Sequence, residues 1–330
     1  MRKNALTWAL IFLALRLTAQ TIDLTQWELC FEDDFTSYRL WRYGDWTSIP
    51  DSTWRAHLGY DITHGKKECQ IYQYDNAVFD VANGVVRLNA SYDSDKRIPK
   101  QDYSLPHFMR HRYPNKYGTN KADNKDANLL LFFSGEIDTR ETFGFGYYEI
   151  RCKLPIHNGS FPAFWLFGNG PNTYEEIDIF EYTNDNADGD YYRGYTSGIW
   201  LNKNGQNYDR EKGKPECGKA NKIVAHSHHI PATEPDLSEY HTYGCEWMPD
   251  VIRWYRDGQL LCEYDNADSI PQAPKRIKVN YALQRSAYNR KRKPNGWSGN
   301  DSMVVDYVRY YKPKEKMELP HAIEALPPTP

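Results

Sequence analysis

An excess of charge of either sign is the first thing this sequence lacks. Its 41 Lys and Arg stand against 44 Asp and Glu, a formal net charge of −3 with His neutral. No global field draws such a chain to nucleic acid. Beyond the first twenty residues, no apolar run is long enough to enter a bilayer and stay there. Long amphipathic stretches with i, i+3, i+4 spacing are missing too, and so are internal repeats, which argues against helical bundles and solenoids. The six cysteines, Cys30, Cys69, Cys152, Cys217, Cys245 and Cys262, contain no close pair of the kind that holds zinc.

Aromatic side chains are abundant, at 15% of the chain, with 26 Tyr and 10 Trp. Stacking surfaces for sugar rings would use them, and so would a Tyr-rich sandwich core and rim. The N-terminus carries Arg2 and Lys3, an apolar run over 5–15, then Leu17-Thr18-Ala19 before Gln20. That pattern reads as a signal peptide over 1–19 and implies export, to periplasm or medium. Disulfides are permitted in an exported chain. Cys152 lies on the apolar side of a strand with Tyr148, Ile150 and Leu154, where a buried thiol fits as well as a bridge. Residues 314–330 turn charged and then Pro-rich, the pattern of a flexible tail.

Between these ends, 20–313 reads as one domain built from short strands. Asn83-Gly84 and Asp257-Gly258 are hairpin signals inside alternating runs. Two strands are expected around Phe143-Gly144-Phe145-Gly146, a meander over 240–264, and further strands over 276–283 and 303–312. So many short strands with no helices predict an all-β, two-sheet sandwich. Residues 92–128 break the pattern with interleaved charges and three prolines, either a wall of a binding site or a surface insertion. His226, His228 and His229 cluster without carboxylates or cysteines at metal-site spacing. The basic run Arg285, Arg290-Lys291-Arg292-Lys293 is either a solvated loop or a rim that holds an anionic polymer.

The chemistry concentrates in Tyr174-Glu175-Glu176-Ile177-Asp178-Ile179-Phe180-Glu181. Period-two counting sets Glu176 and Asp178 on one face and Ile177 and Ile179 on the other. Strict alternation would then bury Glu181 and expose Phe180, at a cost of several kcal/mol. A one-residue bulge near Ile179 and Phe180 removes the conflict and returns Glu181 to the acidic face. Three carboxyl groups in a row suit a retaining glycosidase, whose nucleophile and proton donor sit about 5–5.5 Å apart. An acidic solvated strand or a calcium site would use the same oxygens. Trp165, on the preceding strand, falls beside them if the two strands pair.

Taken in order, these motifs resemble glycoside hydrolase family 16, the β-jelly-roll endo-hydrolases that include laminarinases, lichenases, agarases, porphyranases and carrageenases. The likeness rests on Glu176-Ile177-Asp178-Ile179-Phe180-Glu181, the bulged Glu-X-Asp-X-X-Glu signature. Gly146-Tyr147-Tyr148-Glu149-Ile150-Arg151, Pro162-Ala163-Phe164-Trp165-Leu166, His241-Thr242-Tyr243 and Val305-Asp306-Tyr307-Val308-Arg309 extend it. The resemblance implies a concanavalin-like jelly roll with a concave cleft, Glu176 as nucleophile, Glu181 as acid/base and Asp178 as their assistant. It implies Trp165, Glu68, His241 and Arg285 as substrate-binding residues. No cofactor is required for catalysis, and Asp306 matches the place of an optional structural calcium ion. The expected partner is a polysaccharide, met by a monomer with no nucleic acid and no stable membrane insertion. A β-1,3- or mixed-linkage β-glucan is the expected substrate. Three departures keep an algal galactan as the alternative: Phe161, Gln284-Arg285-Ser286, and Lys66-Lys67 before Glu68. A non-catalytic glycan-binding sandwich is the alternative of another class.

Overall fold

The computed structural model describes residues 20–37, 40–41, 52–56, 68, 70–92, 132–170, 173–183, 194–202, 221–229, 237–284 and 297–314. The expected signal 1–19, all but the first residue of 92–128, Lys66-Lys67, Cys69, Cys217, Arg285 with its basic run, and 315–330 lie outside them.

The strands are β1 (Trp27–Asp33), β2 (Leu40–Trp41), β3 (Trp54–Ala56), β4 (Ile71–Tyr72), β5 (Ala77–Asp80) and β6 (Val85–Tyr92). There follow β7 (Phe132–Ser134), β8 (Glu136–Thr139), β9 (Gly146–Lys153), β10 (Ser160–Gly170), β11 (Thr173–Thr183) and β12 (Gly194–Asn202). The last are β13 (Asn221–His229), β14 (His241–Trp247), β15 (Ile252–Arg256), β16 (Gln259–Tyr264), β17 (Arg276–Leu283) and β18 (Asn300–Pro313). Among the described residues the only helices are short 3₁₀ turns.

A ten-stranded sheet runs β16-β15-β14-β9-β18-β6-β7-β4, with β1 beside β18 and β5 beside β6. An eight-stranded sheet runs β13-β12-β11-β10-β17-β8-β3-β2. Pairing is antiparallel except for β2 with β3 and β4 with β7. The inward faces form one apolar cluster, in which Ile177, Ile179, Phe180, Ile199, Ile277 and Val279 of the smaller sheet join Tyr148, Ile150, Tyr243, Cys245, Trp247 and Val308 of the larger. Phe180 and Tyr243 meet across it with ring centroids 4.6 Å apart. Each such side chain withdrawn from water contributes about 1.5–3 kcal/mol, so this is a two-layer sandwich held by its interior.

The turn signals hold. Gly84, at φ 60°, closes the 3₁₀ turn between β5 and β6. Asp257 and Gly258 both take positive φ, 49° and 75°, between β15 and β16. Two strands do flank Phe143-Gly144-Phe145-Gly146, but they do not pair: β8 belongs to the smaller sheet and β9 to the larger. The chain changes sheets at Gly135, between β7 and β8, where a Cβ would come 2.5 Å from the Asn76 carbonyl oxygen. A close backbone approach of that kind admits only glycine. Cys30, Cys152 and Cys245 are free thiols, and burial pushes the Cys152 thiol well above its usual value.

Candidate active site

The acidic octapeptide begins in β11 as alternation requires. Ile177 is buried in the core, while Glu176 and Asp178 face away from it. The register then slips by one residue: Asp178 opposes Gly198 of β12, but Glu181 opposes Thr196, so Ile179 and Phe180 stand against Ser197 alone. Both apolar side chains enter the core, and Glu181 rejoins Glu176 and Asp178. A bulge leaves backbone groups without ladder partners. Here Ser197 Oγ donates to the Ile179 carbonyl at 2.9 Å, and Trp254 Nε1, reaching through the core from β15, donates to the Asp178 carbonyl at 2.9 Å.

The carboxyl group of Asp178 is itself held. Trp200 Nε1 donates to Asp178 Oδ2 at 3.0 Å, and an N–H aimed at a carboxylate favours its ionised form. Asp178 is nearly buried, whereas Glu176 and Glu181 are half-buried on either side of it. Glu181 is flanked by the small residues Ala163 and Thr196, and Glu176 by Phe167 and Trp200.

Strand register extends this face into three rows. Glu176 is followed across the sheet by Phe167 and Arg276, Asp178 by Trp165, Lys278, Asp138 and Arg55, and Glu181 by Ala163, Asn280 and Glu136. Lys278 Nζ pairs with Glu136 Oε1 at 2.6 Å and lies 4.9 Å from the Trp165 ring centroid. Burial depresses the Lys278 ammonium, but Glu136 and then Asp138 more than offset it, and its pKa ends above the ordinary value. Trp165 Nε1 donates to Asn280 Oδ1 at 2.7 Å, and Asn280 Nδ2 donates to the Tyr72 hydroxyl at 2.9 Å. Burial, then the charges of Glu68 and Glu136, push that phenol well above its usual value.

The expected residues thus separate. Trp165 opposes Asp178 directly, although only 8% of it remains exposed. Glu68 bridges to Gln284 at the end of β17 and accepts from Gln70 Nε2 at 2.7 Å, close enough for its charge to act on Tyr72. His241 is a correction: it sits in β14 of the other sheet, where its Nδ1 pairs with Asp257 Oδ2 at 2.7 Å across the β15–β16 turn. Its position beside a motif was its only recommendation. Arg285 lies outside the described residues. Asp306 belongs to β18 of the larger sheet, at a register slip, and its carboxylate pairs with the Arg151 guanidinium. Among the described residues no three His, Cys, Asp or Glu side chains gather in a metal-binding group.

Sequence reading missed Trp200, Lys278, Asn280, Tyr72, Glu136 and Asp138. For Lys278 and Asn280 a signal existed, since they alternate with Ile277, Val279 and Tyr281, and Glu136 and Asp138 likewise flank Ile137.

Comparison with known proteins identifies the family and the fold. The family model for glycosyl hydrolases family 16 matches residues 110–309, more than half of the chain. Glucan endo-1,3-beta-glucosidase A1 of Niallia circulans is 26% identical over 289 residues, covering 81% of this chain and 36% of that protein. Kappa-carrageenase of Pseudoalteromonas carrageenovora is 31% identical over 157 residues, covering 42% of this chain and 36% of that protein. The chain therefore spans about a third of the length of these relatives. The catalytic domain of an endo-1,3-beta-glucanase (laminarinase) from Thermotoga petrophila RKU-1 superposes with a TM-score of 0.57 at 22% identity, covering 88% of this chain and 99% of that domain, a likeness of fold.

Proposed function

The chain belongs to glycosyl hydrolases family 16, and from that we propose that it is an exported, endo-acting β-glycanase that cleaves with retention of configuration. One observation carries the reading: the bulge in β11 that turns Glu176, Asp178 and Glu181 to one face while Trp200 grips the middle carboxylate. In the proposed reaction Glu181 gives its proton to the glycosidic oxygen as that bond breaks, and Glu176 attacks the anomeric carbon to form a glycosyl-enzyme. Glu181, now a carboxylate, takes a proton from water, whose oxygen attacks the same carbon and releases Glu176. Asp178, which accepts the Trp200 N–H between the two glutamates, is the group placed to assist them. Trp165, Glu68 and Arg285 belong to the substrate's surroundings in this reading.

A β-1,3- or mixed-linkage β-glucan is the proposed substrate, supported by the named activity of the Niallia circulans relative. An algal galactan is the second reading, favoured by the cations Lys278 and Arg276 on the acidic face and by the likeness to kappa-carrageenase. The test is reducing-end release from laminarin, mixed-linkage glucan, agarose, porphyran and carrageenans, with Glu176→Gln alongside. We expect that variant to fold normally and to lose on the order of 10⁴-fold in turnover. Wild-type-like activity in Glu176→Gln would overturn the assignment, and binding without release by the wild type would favour a glycan-binding sandwich.

A further inference from the structure

On the acidic face, Arg276 is a cation without a counter-ion among the described residues. It opens β17 on the same side as Lys278 and Asn280 and stands two strands from Glu176, about 10 Å at ordinary strand spacing. Its Nη1 donates to the carbonyls of Thr139, at 2.6 Å, and Arg140. That contact ties β17 to the end of β8, and it uses one nitrogen of the guanidinium. Among the described residues Nε and Nη2 make no hydrogen bond, and no carboxylate pairs with the group.

Its neighbours add to the imbalance. Arg55 approaches the same end of β8, placing Nε and Nη2 on Asp138, with Nε 3.0 Å from Oδ1, and about a third of its side chain, 34%, is exposed. Arg140 gives Nη1 to Ser52 Oγ at 3.0 Å. Counting Lys278, four cations among the described residues stand on this side of Trp165 against three carboxylates, Glu136 and Asp138, which are already paired, and Glu68, which accepts from Gln70 Nε2. Glu141 is close in sequence but pairs with none of them. Burial, then Arg55, lowers the Arg276 pKa from its ordinary value, and Asp138 offsets this only in part.

We propose that Arg276, with Arg55 beside it, binds an anionic substituent of the polysaccharide, a sulfate ester or a uronate carboxylate. The inference rests on the glycanase reading and, within it, favours an anionic polysaccharide, the second reading above, over a neutral β-glucan. A guanidinium fork with two idle nitrogens matches a sulfate or carboxylate in a bidentate way that no neutral hydroxyl reproduces. Among the described residues the face is also polar in the electrical sense: three carboxyl groups lie on β11, and the excess of cations lies beyond Trp165 on β17, β8 and β3. An anionic sugar is thereby drawn to one side and kept off the reacting carboxylates. A substrate strand laid the other way would set its negative group against Glu176 or Glu181.

The experiment is calorimetric titration of the full chain carrying Glu176→Gln. The probes are a sulfated galactan tetrasaccharide, its desulfated counterpart and a uronic-acid tetrasaccharide. At least one anionic probe should bind tenfold or more tightly than the desulfated one. Adding Arg276→Gln should abolish that preference and leave the affinity for the desulfated probe unchanged. Arg55→Gln, which leaves Arg276 and its carbonyl contacts in place, should reduce the preference several-fold and serves if Arg276→Gln fails to fold. Equal binding of charged and neutral probes, or a preference that survives both substitutions, would overturn the inference. Wild-type cleavage of neutral glucan alongside such equal binding would leave the glycanase reading standing. An Arg276-dependent preference in a chain that cleaves nothing would instead overturn that reading and keep the site.

Discussion

Lys275 and Lys278 stand three residues apart and build the same small motif on opposite faces of one sheet. Lys275 points into the sandwich, with Nζ 2.5 Å from Glu175 Oε2 and 4.7 Å from the Trp247 ring centroid. Lys278 points the other way, 2.6 Å from Glu136 Oε1 and 4.9 Å from the Trp165 centroid. Their protonation runs in opposite directions. Burial lowers the pKa of Lys275 more than Glu175 raises it, whereas Lys278 has both Glu136 and Asp138 to overcome its burial. One carboxylate does not offset the removal of an ammonium from water; two do. The inner pair works as a fastener, because Glu175 Oε2 also accepts from the Ala273 N–H at 2.9 Å and so pins β11 to the segment before β17. The outer pair instead maintains the floor beside Asp178.

The largest expected effect comes from breaking one partner at a time. Lys278→Met leaves Glu136, fully buried, without its ammonium and should cost about 3–5 kcal/mol of stability. Lys275→Met leaves Glu175 with the Ala273 N–H still in place, and should cost less, about 1–3 kcal/mol. Denaturant melts of the two variants decide it, and the reverse order would break the comparison. Neutralising both partners should have a smaller and more telling effect. Glu175→Gln with Lys275→Met should lie within about 1–2 kcal/mol of the wild type, since apolar contact with Trp247 replaces a poorly compensated charge pair. Glu136→Gln with Lys278→Met should also recover stability yet lose turnover several-fold, because Trp165 loses the cation on its face. Full activity in that double variant would reduce the outer pair to a structural role.

Alkaline pH should separate the two lysines most subtly. Lys278, with its folded pKa above the ordinary 10.5, contributes stability that is complete below that value and is lost as pH climbs through the folded one. Lys275, with its folded pKa below 10.5, releases its proton more readily folded than unfolded, so stability rises as pH climbs from the folded value towards 10.5. Melts of Lys275→Met and Lys278→Met between about pH 8 and 11 should therefore differ from the wild type with slopes of opposite sign. Parallel slopes would mean that the second carboxylate does not distinguish them.

Much of β11 is legible in its own residues. Ile177, Asp178, Ile179, Phe180 and Glu181 admit one economical arrangement, because an unpaired buried Glu181 costs more than a bulge. The turn residues Gly84, Asp257 and Gly258 were legible for a local reason, positive φ. What stayed hidden depends on contacts between distant segments. Trp200 and Trp254 come 22 and 76 residues after Asp178, and no period in the chain announces that both indole N–H groups end on that one residue. His241 misled because a neighbour in a motif need not be a neighbour in space, and β14 lies in the other sheet. Gly135 was silent because the Asn76 carbonyl that forbids a side chain there arrives from another part of the chain.

By itself, then, the sequence determined the strand periods, the bulge and the three carboxyl groups on one face, all consequences of alternating burial over a few residues. Only the tertiary structure decided which cations and indoles meet that face, and which of two adjacent glutamates stays open to solvent. Glu175 and Glu176 are interchangeable as letters, but strand pairing buries one against Lys275 and leaves the other half-open between Phe167 and Trp200. The charge a side chain can keep is set by the partners that the fold brings within a few ångströms, and those partners are chosen by register rather than by proximity along the chain.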